Sequence, residues 1–399
     1  MTETPSILLL TDKFPPHAGG TSVIYHQWCE RLPAERLRVL TCESDGWREF
    51  NAQAAYPVER VAFTDWPKVR WPLVWWRLYR TASRRAPQTP GVVVHCGHVL
   101  ETGLSGWRLK RRFGIPYVVH AYGEELLYYG RRRLTRGWLR RVLAEADGIT
   151  AISAYTREQL ATFGVPPERV ILQPPGVDCA QFRPGLDGSG LRERLGLGEC
   201  PTLITVARLL RRKGVDITLE AVARLRAEFS DLAYLVIGDG PELPRLREIA
   251  ASLRIEDCVH FLGRVPHAET AECYAAADVF AHPNRQTAAG DVEGFGLVFL
   301  EANACGLPVV GGDSGGTPDA IRSGETGFLV DGTSVPAVAE AIGELLRNRD
   351  LRRRLGEAGR AWAERFTWER AAERVWRMTE MVHAGRPVTA ESLALEMSR

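Results

Sequence analysis

Short apolar runs of three to five residues recur along this chain, and most are followed by a turn and a segment long enough for a helix. That alternation decides most of what it can fold into. In the first half the runs are Ile7–Leu10, Val92–Cys96, Tyr117–His120 and Ile149–Ile152. In the second they are Leu203–Val206, Ala233–Ile237, Val259–Leu262, Val279–His282, Val309–Gly311 and Phe328–Val330. Apolar runs without an alternating polar face suit strands buried on both sides, and strands that alternate with helices imply parallel sheets covered by helices. At 399 residues the chain exceeds one ordinary core, so two α/β domains are expected. The tract Gln173 to Gly190, rich in proline and glycine, interrupts the pattern near the middle and sets the expected domains at 1–185 and 186–365. Thr367 can cap a last helix, in which Ala371, Val375, Met378 and Val382 recur every three or four residues. The tail from Arg386 onward shows no clear pattern.

Composition narrows the function classes. Hydrophobic residues at 45% and charged residues at 25% describe a soluble globular chain. No stretch approaches 18 uncharged apolar residues, and Met1 to Ser6 lacks the start of a secretory signal, so a cytoplasmic protein is expected. The eight cysteines form no CxxC pair, which fits reduced thiols rather than a zinc or redox motif. The net charge of +2 hides an asymmetry: residues 1–185 carry 25 Lys+Arg against 17 Asp+Glu (+8), and residues 186–399 carry 26 against 32 (−6). The basic, tryptophan-rich tract Trp66 to Arg80, with Arg131–Arg133, Arg140 and Arg141, has two readings. It docks on an anionic membrane surface, or it is a set of buried tryptophans under solvated arginines. Nucleic acid is not expected as a partner, because no recognition module accompanies the charge.

The loops at the strand ends carry the chemistry. In Asp291-Val-Glu293-Gly-Phe295-Gly296-Leu297-Val-Phe-Leu-Glu301, a Gly-x-Gly precedes a helix expected to run to about Cys305. Free amides of Phe295 to Val298 at that helix start suit a phosphate. Eight residues of helix rise about 12 Å, so Glu293 and Glu301 would grip opposite ends of one elongated polar ligand. The alternative is that Glu293 only favours the helix dipole and Glu301 is solvated. The run Arg208-Leu-Leu-Arg-Arg-Lys213-Gly214 follows a strand, and the chain has only four lysines. Lys213 and Arg208 together would neutralise a diphosphate, or the run is a solvated basic loop. Gly238-Asp-Gly-Pro-Glu242 lacks the third glycine of a dinucleotide fingerprint, which disfavours a NAD oxidoreductase. Gly19-Gly20 and Gly311 to Asp319 are further strand-end glycine loops.

Taken in order, Gly19-Gly20, Gly176-Val-Asp178, Arg208 with Lys213, Gly238 to Glu242, Phe261-Leu-Gly-Arg264, Glu293 with Glu301, and Gly315-Gly316 resemble the retaining family 4 glycosyltransferases across nearly the whole chain. The resemblance implies a GT-B fold. Two Rossmann-like domains face each other across a cleft, the acceptor in the first and the nucleotide-sugar in the second, and a C-terminal helix at about 366–384 crosses back to the first. It implies that Arg208 and Lys213 bind the diphosphate and Glu301 the ribose. Glu293 and the amides of Phe295, Gly296 and Leu297 would hold the sugar, and the backbone at Arg264 and Val265 the base. Gly19, Gly20 and Gly238 join the donor loops. No metal or other cofactor is implied, since the departing phosphate can itself take the acceptor's proton. Asn284 to Gly296 is similar to the mannosyltransferases that use GDP-mannose on phosphatidylinositol acceptors. That favours mannose as the hexose, a glycolipid or glycan acceptor, and a peripheral place at the inner face of the cell membrane.

Three departures stand out. Where the family has His-Gly after a first-domain strand, this chain has His120-Ala-Tyr122-Gly123, so either His120 or Tyr122 is expected to touch the sugar. Pro175 and Asp319 replace the family's usual Asn and Glu. The competing readings are a UDP-sugar-dependent transferase with a soluble acceptor, a phosphorylase or epimerase on the same fold, and a non-catalytic nucleotide-sugar-binding protein.

Overall fold

Runs of Val, Ile and Leu pair side by side in two separate, wholly parallel sheets. The computed structural model describes residues 4–17, 19–62 and 70–398, without the side chains of residues 70–72 and 268. The first sheet contains β1 (Ser6–Leu10), β2 (Leu37–Cys42), β3 (Val58–Val61), β4 (Val92–Cys96), β5 (Tyr117–Ala121), β6 (Gly148–Ala151) and β7 (Val170–Leu172), in the order β3-β2-β1-β4-β5-β6-β7. The second contains β8 (Thr202–Val206), β9 (Ala233–Ile237), β10 (Val259–Gly263), β11 (Val279–His282), β12 (Val309–Gly312) and β13 (Gly327–Val330), in the order β10-β9-β8-β11-β12-β13. In each, the chain steps outward in one direction and then returns to the other side of its first strand. The order therefore reverses once per sheet, between β1 and β4 and between β8 and β11. At such a reversal the loops leaving adjacent strands part in opposite directions and leave a crevice outside the carboxyl ends.

Each sheet has its own core. Leu8, Leu10, Val94, Tyr117, Val119 and Leu139 are buried in the first, and Leu203, Leu219, Tyr234, Val236, Val279 and Ile342 in the second. All ten expected runs are strands, within a residue or so at their ends. The strands β2, β3 and β7 carried no clear signal. Arg38 interrupts β2, Glu59 and Arg60 interrupt β3, and β7 is only three residues long.

The two compact units divide at Gly176 and Val177, ahead of the expected 185/186 boundary. The amide of Val177 donates to the carbonyl of Phe366 at 2.8 Å, and Phe182 packs on Tyr274 at 5.9 Å between ring centroids. Those contacts commit the tract after Gly176 to the second unit. The chain from Trp368 onward belongs to the first unit. Its helix Trp368–His383 buries Ala371, Val375, Met378 and Val382, the stripe expected of it. Met378 and Val382 meet Val93, Val118 and Ile171 of the sheet. The tail is a helix as well, Ala390–Met397, opened by a capping box between Thr389 and Ser392. None of the eight cysteines is in a disulfide among the described residues.

Candidate active site

At the reversal of the second sheet, the loop after β8 meets the loop after β11. Gly214 has φ +71°, and a Cβ placed on it would stand 2.0 Å from the carbonyl oxygen of Pro283. Only glycine lets the turn Arg211–Lys213 close against the end of β11. That closure brings the Lys213 ammonium onto Oε2 of Glu293, with both side chains 11% exposed. Arg212 lies 3.4 Å from Asp291 beside them. Burial opposes the charge on Glu293, but Lys213 and Arg212 outweigh it and hold its pKa at about 2. Burial pulls Lys213 below its ordinary value in spite of Glu293. His282, fully buried and stacked on Phe299 at 5.2 Å, is pushed down to about 3 by burial and by the nearby cations. It is a neutral wall of this pocket that the sequence did not single out.

Arg208 is exposed and has no side-chain partner among the described residues. The amides of Phe295, Gly296 and Leu297 make no backbone hydrogen bond among the described residues, and they precede or open the helix Leu297–Ala304. Glu301 lies on that helix, and its Oε2 accepts from the Tyr274 hydroxyl at 2.9 Å. Burial raises its pKa. The helix starts only at Leu297, so Glu293 is a loop residue and the expected helical rise between the two glutamates does not apply. Gly238 lies against the carbonyl of Ala207, 1.9 Å from a would-be Cβ, so it serves close packing of two loops. Arg264 is exposed and pairs with Asp239 at 3.6 Å, and Val265 follows it at the end of β10. Asp178 caps its own turn by accepting from the amides of Ala180 and Gln181. Among the described residues no group of three His, Cys, Asp or Glu side chains could hold a metal ion.

In the first unit, Gly19 and Gly20 are exposed and open the helix Gly20–Cys29. His120, one of the two residues expected to touch the sugar, is buried in the first unit. Its Nε2 faces Nδ1 of His95 at 3.0 Å, its Nδ1 faces the Thr150 hydroxyl at 2.8 Å, and its exposure is 1%. Burial pushes its pKa well down. Tyr122, just past β5, is partly open; its amide donates to Glu125 at 2.8 Å and its ring lies 5.9 Å from that of His98.

His98 and Asp12 were not anticipated. Asp12 follows β1 and His98 follows β4, and the Nδ1 of His98 lies 2.9 Å from Oδ1 of Asp12. Burial opposes a cation on His98, yet the charge of Asp12 beside it raises its pKa to about 9. The same pairing holds Asp12 well below the usual carboxylate range against its own burial. Sequence shows only that each residue follows an apolar run. Their meeting depends on β1 and β4 being neighbours.

The basic tract resolves in part. Trp66 and Lys68 lie outside the described residues, as do the side chains of Arg70 and Trp71. Trp75, Trp107 and Trp138 pack partly buried on the first core, and Arg108 and Arg141 stack over Trp75 and Trp138 at 4.9 and 5.1 Å. Trp76 is 45% exposed. No helix among the described residues is long and apolar enough to cross a membrane.

Comparison with known proteins agrees with this architecture. Residues 18–181 match the family described as Glycosyltransferase Family 4, and residues 191–362 match Glycosyl transferases group 1. The chain is 35% identical over 377 residues to a GDP-mannose-dependent alpha-(1-6)-phosphatidylinositol monomannoside mannosyltransferase of Mycolicibacterium smegmatis, covering 92% of this chain and 97% of that one. It is 31% identical over 394 residues to the GDP-mannose-dependent monoacylated alpha-(1-6)-phosphatidylinositol monomannoside mannosyltransferase of Corynebacterium glutamicum, covering 94% and 98%. The fold is similar to that of HepE from Anabaena, crystallised with UDP, at a TM-score of 0.79 and 22% identity over 93% and 98% of the two chains. With two parallel-sheet units, a C-terminal helix returned to the first, and these matches over almost its full length, the chain belongs to the family 4 glycosyltransferases of GT-B fold.

Proposed function

We propose that this glycosyltransferase moves mannose from GDP-mannose, with retention of configuration, to a mannosylated phosphatidylinositol. The near full-length match to relatives that are GDP-mannose-dependent carries this reading. The second unit supplies the groups a nucleotide-sugar needs. Arg208, unpaired among the described residues, and Lys213 take the diphosphate, the open amides of Phe295 to Leu297 take oxygen atoms of the donor, Glu301 the ribose, and the backbone at Arg264 and Val265 the base. Lys213 is neutralised by Glu293. A diphosphate draws the ammonium toward itself, and Glu293 is then free to accept hydrogen bonds from the sugar's hydroxyls.

Retention follows from attack on the face the leaving group departs from. The acceptor hydroxyl bonds to the anomeric carbon as the carbon–phosphate oxygen bond breaks. The departing phosphate oxygen receives the hydroxyl's proton. The enzyme's work is then to stabilise negative charge on that phosphate, which is what Arg208, Lys213 and the open amides are suited to do. A lipid-linked acceptor also calls for a peripheral position at the membrane, for which exposed Trp76, with Arg80 stacked on it at 5.1 Å, and the +8 first half are suited.

The test is incubation with GDP-mannose, UDP-glucose or ADP-glucose and phosphatidylinositol monomannoside in mixed micelles. Product is identified by mass and by the anomeric proton signal. The expected product is a lipid one hexose heavier, formed with GDP-mannose and carrying an α linkage. Transfer from UDP-glucose alone, or to water-soluble acceptors alone, would replace this reading. Sedimentation with anionic vesicles, weakening as salt rises, checks the membrane position.

A further inference from the structure

The Asp12–His98 pair sits where the strand order of the first sheet reverses, which is where an open parallel sheet binds ligands. A buried ion pair holds a fold together no better than apolar residues of the same size, so stability alone is a weak reason for one there. The pair is also incompletely used. No hydrogen bond among the described residues reaches Nε2 of His98 or Oδ2 of Asp12, although the His98 side chain is only 7% exposed. Around it stand the Tyr122 ring, 5.9 Å from the imidazole, and the carboxyl groups of Glu101 and Glu125. Burial raises the pKa of both glutamates.

The composition of this cluster selects its ligand. The three carboxyl groups of Asp12, Glu101 and Glu125 outnumber the two cations beside them, His98 and Lys13, which disfavours a phosphate. Carboxylates, an imidazole N–H and the face of a tyrosine are the groups that recognise a hydroxyl-rich ring, whose hydroxyls both donate and accept. We propose that His98, clamped by Asp12, binds the polyol ring of the acceptor. Its Nε2–H donates to one ring hydroxyl, Oδ2 of Asp12 accepts from a neighbouring one, and Tyr122 packs against the ring. This rests on the reading that the first unit holds the acceptor.

The test measures binding of methyl α-D-mannopyranoside, by saturation-transfer NMR without donor, to the wild type, His98→Gln and Asp12→Asn. Both variants should raise the dissociation constant about tenfold or more, the effect of losing a charge-assisted hydrogen bond. GDP affinity should stay within about twofold in both, since its site lies in the other unit. Asp12→Asn keeps the size of the side chain and decides the matter if His98→Gln folds poorly. Equal mannoside binding by the variants overturns the proposal, and so does a wild type that binds no mannoside. Inorganic phosphate binding that depends on His98 would also overturn it, by making this an anion site. Because no donor is present, a failure of the GDP-mannose reading leaves this measurement standing.

Discussion

The Nε2 of His95 lies 3.0 Å from the hydroxyl of Thr379, a residue 284 positions away on the C-terminal helix. That contact fixes the protons of a longer chain. The Thr379 hydroxyl donates to the carbonyl of Val375 at 2.6 Å, so it accepts from His95. His95 is then bare at Nδ1 and accepts from Nε2–H of His120, whose own Nδ1 accepts from Thr150. Every member is satisfied while both histidines are neutral, and the chain joins β6, β5 and β4 to the last long helix.

Thr379→Val keeps the shape of the side chain and leaves the His95 N–H buried without a partner. Urea denaturation should show a loss of about 1–3 kcal/mol. Amide exchange should accelerate in Trp368–His383, and GDP affinity should be unchanged.

The same network makes the first unit sensitive to acid. Burial lowers His95 from 6.5 to about 3, and His120 well below 6.5. Between those values the unfolded chain binds protons that the folded chain refuses, so the stabilisation is complete above about pH 6.5 and is lost progressively as pH falls. His98 has the opposite sign: raised to about 9 by Asp12, it stabilises fully below 6.5 and loses that contribution as pH rises through about 9. Thermal melts from pH 4 to 9 should show a fall on both sides. The acid side should flatten in His120→Gln and the alkaline side in His98→Gln.

Lys213→Ala should weaken GDP binding by about a hundredfold, the scale of a lost charge-assisted contact, and leave guanosine binding nearly unchanged. The substitution also strands Glu293 as a buried unpaired charge, which costs about 3–5 kcal/mol of stability. The double variant Lys213→Ala with Glu293→Gln should recover most of that stability and none of the GDP affinity. Recovery of both would show Lys213 to be a structural partner only.

Gly214→Ala tests the closure that makes the pair. The new Cβ would stand 2.0 Å from the Pro283 oxygen, on a backbone with φ +71°. The loop has to shift, so a lower melting temperature and a loss of turnover are expected together. An alanine variant with wild-type turnover would show that Lys213 reaches its place without this close approach.

The elements and the polar residues at their ends are legible from local sequence. Strands such as Ala233–Ile237 and the buried stripe of Trp368–His383 are written in local periodicity, because burial on both faces of a strand or on one face of a helix is decided within about a dozen residues. The same locality made Lys213 and Glu293 legible as candidate ligands, each at a glycine-bearing strand end. The tail helix was legible in principle, through the Thr389 and Ser392 box, but serine is an unusual partner in that motif. Tertiary structure decided who meets whom. Asp12 finds His98 because β4 pairs with β1, and Lys213 finds Glu293 because β11 pairs with β8. His120 faces into the sheet's packing toward Thr379, while Tyr122, two residues on, has already left the strand. Strand order and the return of the C-terminal helix follow from long crossovers whose partners are fixed only when the whole core closes, and no local pattern carries that choice.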